Sequence, residues 1–194
     1  MTAAKTDLKK LDSYAARRGV FRLLTVPPRQ YLAIDGHGDP NTEVYRRAIE
    51  AIYPVAYRLK FASKAAGRDY VVMPLEALWS ADDPTLFTTR RDKSTWDWTL
   101  LNLVPDWITA ADVAAISHDV RLMPLDEGLC VQTLHVGSYD DEGPVLAAMH
   151  DGFIPAEGLR MTGRHHEIYL GDARKVAPER LRTILRQPVA PQAT

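Results

Sequence analysis

"EGLCVQTLHVGSYDDEGP", residues 127–144, decides how the chain is read. It opens as an apolar run with strand character, turns at Gly137, and closes on Gly143-Pro144. Proline suits the first turn of a helix, where its missing N–H costs no hydrogen bond. The same order occurs earlier in "QYLAIDGHGDP" (30–40): a strand ending at Gly36, a loop through Gly38, then Asp39-Pro40. Asp39 is the expected N-cap and Pro40 the first helical residue. In "NTEVYRRAIEAIYPVAYRLKF" (41–61), Val44, Ala48, Ala51 and Val55 fall on one helical stripe, and Pro54 is expected to kink or break it.

Two strands follow each helix. In the first half they are "DYVVMPLEALW" (69–79) and "STWDWTLLNLVP" (94–105), joined through a polar turn, "SADDPT". "TAADVAAIS" (109–117) reads as a short helix capped by Thr109. In the second half "PVLAAMHDGFI" is the helix and "RHHEIYLGD" a strand. "PERLRTILRQP" fits a last strand, or a helix. The order β–α–β–β therefore appears twice. Tandem βαββ units imply an α+β fold with pseudo-two-fold symmetry: antiparallel sheets, helices on one face and a ligand cleft on the other. The expected organisation is an N-terminal tether or helix over 1–19, one domain over 20–189 with halves of about 20–120 and 121–189, and a tail at 190–194.

With 24 basic and 25 acidic residues, the net charge is −1. Duplex binding favours a basic face, so a direct nucleic-acid partner is not expected. Cys130 stands alone, which excludes an intramolecular disulfide and a thiolate metal cluster; it reads as a buried strand thiol. A charged N-terminus and no apolar run of membrane-spanning length lead to the expectation of a cytoplasmic protein with no membrane partner, monomeric or weakly dimeric. No cofactor or metal is expected. His165 and His166 are adjacent on a strand, point to opposite faces, and cannot chelate one ion together.

At "YLAIDGHGDPNTEVYRRAIEAIYPVAYRLKF", "VVMPLEALW" and "RHHEIYLGDARKVAPERLRTILRQPV" the chain resembles the stand-alone GyrI-like small-molecule-binding proteins, over about residues 20 to 189. The resemblance implies the tandem βαββ fold and kinship with ligand-sensing domains of multidrug-responsive regulators. In those, a cleft of aromatics and carboxylates takes flat, often cationic molecules. Some stand-alone members hydrolyse cyclopropanoid DNA-alkylating compounds. The regulators' helix-turn-helix is not expected here, since the stretch before residue 20 is too short for one.

Along "RHHEIYLGD", His166, Ile168 and Leu170 share one face, and His165, Glu167 and Tyr169 the other. Ile168 and Leu170 are the natural core set, which aims Glu167 and Tyr169 into the cleft. The resemblance points the same way. A carboxylate in a low-dielectric pocket attracts a cation or serves as a general base for water, with Tyr169 or Tyr139 donating to the substrate oxygen. The competing reading pairs Glu167 with Arg164 on a solvated edge. Trp96 and Trp98 are ligand or core aromatics. Glu76 and Trp79 match a family block beside the cleft, Tyr139 is placed on its rim, and His165 joins the ligand set. Three functions stay open: an aromatic-cleft protein that hydrolyses electrophilic cyclopropanoids with Glu167 as base, a non-catalytic binder that sequesters small molecules, and a gyrase-inhibitor-like module with a protein partner.

Overall fold

The computed structural model describes residues 5–80 and 92–192. In chain order its elements are β1 (Arg22–Val26), β2 (Arg29–His37), α1 (Glu43–Ala65), β3 (Glu76–Ser80), β4 (Asp97–Val104), α2 (Ala110–Ala114), β5 (Arg121–Leu125) and β6 (Gly128–Val136). Then come α3 (Gly143–Ala147), a π-turn (Ala148–Phe153), α4 (Ile154–Ala156), β7 (Leu159–Met161), β8 (His165–Tyr169) and β9 (Arg182–Pro191). The strands lie in the order β1-β6-β9-β8-β3-β4-β2-β5, all antiparallel, with β7 on β9. The mixed α+β architecture is the one expected. Two three-strand units, β6-β9-β8 and β3-β4-β2, meet where β3 pairs β8.

Their outer strands also find each other. Arg22 faces Gln132 and Val26 faces Gly128, then Arg29 faces Leu125 and Ala33 faces Arg121. These pairs keep one register frame. Thus β1–β2 and β5–β6 form a single long ribbon, interrupted only between the strands, where Pro27 and Pro28 cannot donate. The first strand of each half extends across to pair with the other half.

Residues paired across antiparallel strands share a face. Leu100, Ala77, Glu167 and Leu185 therefore lie on one face, and Leu101, Glu76, Ile168 and Ile184 on the other. α1 covers the first face at one end, where Ile52, Val55 and Leu59 join Leu32, Leu100 and Trp98 in a core. α3 and the π-turn cover it at the other end, where Leu146, Met149 and Ile154 pack on Val131, Leu185 and Val189. The expected placement of the cleft is corrected here: it opens on the helix-bearing face, between the two helical layers. The opposite face is closed by the N-terminal residues, whose Leu8, Leu11 and Tyr14 pack on Tyr31, Leu78 and Leu103. That segment is apolar on one side, so it is no solvated tether.

Several local readings shift. α1 begins at Glu43 behind Thr42, not at Pro40, because the Asp39 carboxylate accepts the backbone and side-chain N–H of Asn41 and forms a turn. Its buried stripe is Tyr45, Ala48, Ile52, Val55, Ala56, Leu59 and Ser63, and Val44 is exposed. Pro54 sits inside the continuous helix on its exposed side, where the carbonyl it leaves unbonded reaches water. Only Glu76–Ser80 of the 69–79 run is a strand, since Pro74 interrupts pairing. Gly36 lies inside β2 rather than ending it. The last segment is a strand, α2 carries a full Thr109–Asp112 capping box, and Cys130 is buried in β6. The polar turn expected after Ser80 lies outside the described residues.

Candidate functional site

Between the two helical layers lies a cavity of about 1090 Å³. Its floor is the junction of the halves. β8 contributes His165, Glu167 and Tyr169, because alternate residues of a strand face one way; β3 contributes Trp79, opposite His165. Tyr45, Ile49 and Tyr53 of α1 form one wall, and Leu146 and His150 the other. Trp96, just before β4, and Tyr139, in the turn before α3, complete it.

Six of the eight expected site residues thus come together: Glu167, Tyr169, His165, Trp79, Trp96 and Tyr139. Two do not. Glu76 is opposite Ile168 and faces away from the cavity, fully buried. It stands three residues from Trp79, and an odd spacing on a strand means opposite faces. Trp98 shares the cavity's face but is covered by α1. Its indole lies over Gly36, donates from Nε1 to the Gly38 carbonyl at 3.2 Å, and meets Tyr45 edge-on at 4.9 Å.

The remaining aromatics form a box. Tyr45 stacks on Trp79 at 5.8 Å, Trp96 meets Trp79 edge-on at 5.6 Å, and Tyr139 meets Tyr169 edge-on at 5.4 Å. Glu167 stands among them. Its Oε2 accepts from the Tyr169 hydroxyl at 2.7 Å, and the Tyr169 hydroxyl oxygen in turn accepts from Trp79 Nε1 at 3.2 Å. The His165 Nε2 is 3.7 Å from Glu167 Oε1. Burial, reinforced by the Glu167 charge, pushes the Tyr169 phenol well above its ordinary range, so it remains a hydrogen-bond donor. Burial and the charges of Glu142 and Glu167 push Tyr139 up to about 12. His165 is driven well below the usual imidazole range by burial, then by repulsion from His150 and His166. Arg164 sends its guanidinium to the Thr99 hydroxyl at 2.8 Å. A carboxylate ringed by aromatic faces attracts flat cations and can polarise a water molecule.

The chain matches the family described as the GyrI-like small molecule binding domain over residues 20–190. It belongs to that family. An uncharacterized conserved protein from Listeria innocua is 35% identical, superposes with a TM-score of 0.86, and aligns over 96% of this chain and 100% of its own. A Listeria innocua protein described as a hydrolase is 34% identical, with a TM-score of 0.82 and the same coverage. The C-terminal domain of EcmrR shares the fold at 14% identity and a TM-score of 0.60, over 89% of this chain and 98% of that domain. No curated protein matches significantly. Among the described residues, no helix is long and apolar enough to cross a membrane.

Behind the cavity, this GyrI-like domain holds β8 by buried charges. His166 Nδ1 is 2.8 Å from Glu127 and its Nε2 is 2.9 Å from Glu76. Arg186 donates to Glu127 at 2.7 Å and to the Ser13 carbonyl at 2.6 Å, and the Tyr14 hydroxyl donates to Glu76. The helix-borne wall of the GyrI-like cavity was missed in the sequence. Its cue was the four-residue spacing of Tyr45, Ile49, Tyr53 and Tyr57, all of which line the space. His150 gave no comparable cue.

Proposed function

We propose that this GyrI-like protein is a cytoplasmic small-molecule-binding protein. Its cavity takes flat hydrophobic or cationic molecules and hydrolyses electrophilic cyclopropanoids, with Glu167 as general base. The observation that carries this reading is a carboxylate set inside an aromatic box and held by the Tyr169 hydroxyl. The hydrolase description of a relative at 34% identity supports it. In the reaction, water oxygen bonds to a ring carbon as Glu167 takes its proton. The cyclopropane C–C bond breaks, and its electron pair passes to the conjugated carbonyl oxygen, which Tyr139 stabilises by donation. The single O–H of Tyr169 stays on Glu167 and aims the carboxylate.

The test pairs thermal shift with mass analysis, using 10-methylacridinium and a spirocyclopropyl dienone on wild type and Glu167→Gln. Both proteins should be stabilised by ligand. Only wild type should form the water-added product at speed, with kcat at least about a hundredfold lower in the variant. Stabilisation without product in wild type would make the protein a binder only. No stabilisation by either compound would move a protein partner to the front.

A further inference from the structure

One end of the cavity is built differently from the aromatic box. There the π-turn sets His150 over His165, with ring centroids 5.7 Å apart and planes at 79°. π-turns are rare and concentrate at functional positions. His165 is 8% exposed, and among the described residues neither of its ring nitrogens, nor His150 Nε2, has a hydrogen-bond partner in good geometry. Gln187, which lines the same end, gives its amide nitrogen to the Thr162 and Pro188 carbonyls, and its side chain lies close to His165. A buried polar atom without a partner destabilises the fold. Several such atoms facing one space favour a polar occupant.

The charge of that occupant follows from the rings. Burial lowers the pKa of both histidines, so both are neutral near pH 7. A neutral imidazole offers one N–H donor and one lone pair. Two of them at an angle suit a group that donates and accepts at adjacent atoms and carries no charge. We propose that the His150–His165 end is a subsite for an uncharged carboxamide or lactam terminus of the ligand. Its N–H is accepted by one imidazole nitrogen, and its carbonyl takes an N–H from the other ring. This deepens the small-molecule reading and rests on it. The flat or cationic part lies against Trp79, Trp96 and Glu167, and the amide end reaches the histidines.

Benzamide, a flat ring bearing a primary carboxamide, is the probe, with benzylammonium as its charged counterpart and 10-methylacridinium as a probe of the box alone. NMR follows the imidazole signals of His150 and His165 and the indole signals of Trp79 and Trp96 in wild type. Benzamide should move the imidazole signals, benzylammonium should not, and His165→Phe or His150→Phe should weaken benzamide about tenfold. The wild-type shifts and the His150 variant decide the matter even if His165→Phe does not fold. Benzamide that moves only the indoles, or imidazoles that answer equally to benzylammonium, would overturn the subsite and leave the cavity reading intact. Silence of all four side chains toward benzamide and 10-methylacridinium would overturn both.

Discussion

Gly36 shows how one missing methyl shapes the site. A Cβ there would stand 2.0 Å from Cη2 of Trp98, in the space the indole fills. The indole is pinned from the other side by Tyr45 and by its bond to the Gly38 carbonyl. Gly36→Ala should therefore cost about 2–3 kcal/mol through overpacking, and calorimetry should show the thermal midpoint falling by about 5–10 °C. An unchanged midpoint would mean the indole moves freely. Tyr45 also stacks on Trp79, so the same substitution should disturb the aromatic box. At this scale the sequence was legible where a strand's period leaves one choice: Ile168 as core sends Glu167 and Tyr169 to the cavity. It was not legible for Trp98, because only the position of α1 decides which aromatic on that face is covered. Glu76 was misread although its spacing from Trp79 held the answer.

β8 is an element with two chemistries, a cavity floor on one face and an ion network on the other. Burial alone would lower the His166 pKa. The Glu127 charge and the hydrogen bonds that the ring donates to Glu127 and Glu76 outweigh burial and raise it to about 9. Burial alone would raise Glu127; the His166 and Arg186 charges and hydrogen bonds bring it to about 2. The signs are opposite. A raised histidine contributes its stability below its ordinary value of 6.5 and loses it as pH climbs toward 9; a depressed carboxyl contributes above 4.5 and loses it as pH falls toward 2. Thermal midpoints measured against pH should therefore peak near about 6.5: above it the His166 contribution is lost, and below it His165 and His150, which burial holds neutral, lose theirs before Glu127 does. His166→Gln should remove the alkaline decline. A midpoint that holds level from pH 6.5 to 9 in wild type would refute this. The strand and its alternation were legible beforehand. The partners were not, since Glu127 and Arg186 come from distant strands and no local pattern announces a buried pair.

At the scale of the molecule, the mixed α+β architecture could be read because strand-like and helix-like periods alternate along the chain, although the glycine turn and X-Pro start expected at Gly36 and Asp39-Pro40 do not mark the ends of β2 and α1. The side on which the cleft opens could not. Periodicity says that a strand has two faces, and packing alone says which face receives helices and which receives the N-terminal segment. The cross-paired ribbon was equally hidden, because it joins strands far apart in sequence. That ribbon has a kinetic consequence. Pairing Arg22 with Gln132 and Ala33 with Arg121 closes large loops before any local reward is gained, whereas each β–α–β–β unit is comparatively local. The ribbon should close after the folding barrier has been crossed. Leu24, buried in β1 against Val26 and Cys130, reports on it. In stopped-flow denaturant experiments, Leu24→Ala should speed unfolding more than about tenfold and leave refolding nearly unchanged. Equal slowing of refolding would put the ribbon in the nucleus instead. A last-formed seam is also the first to part, so slow exposure of this protein to proteases should begin where its two halves clasp each other.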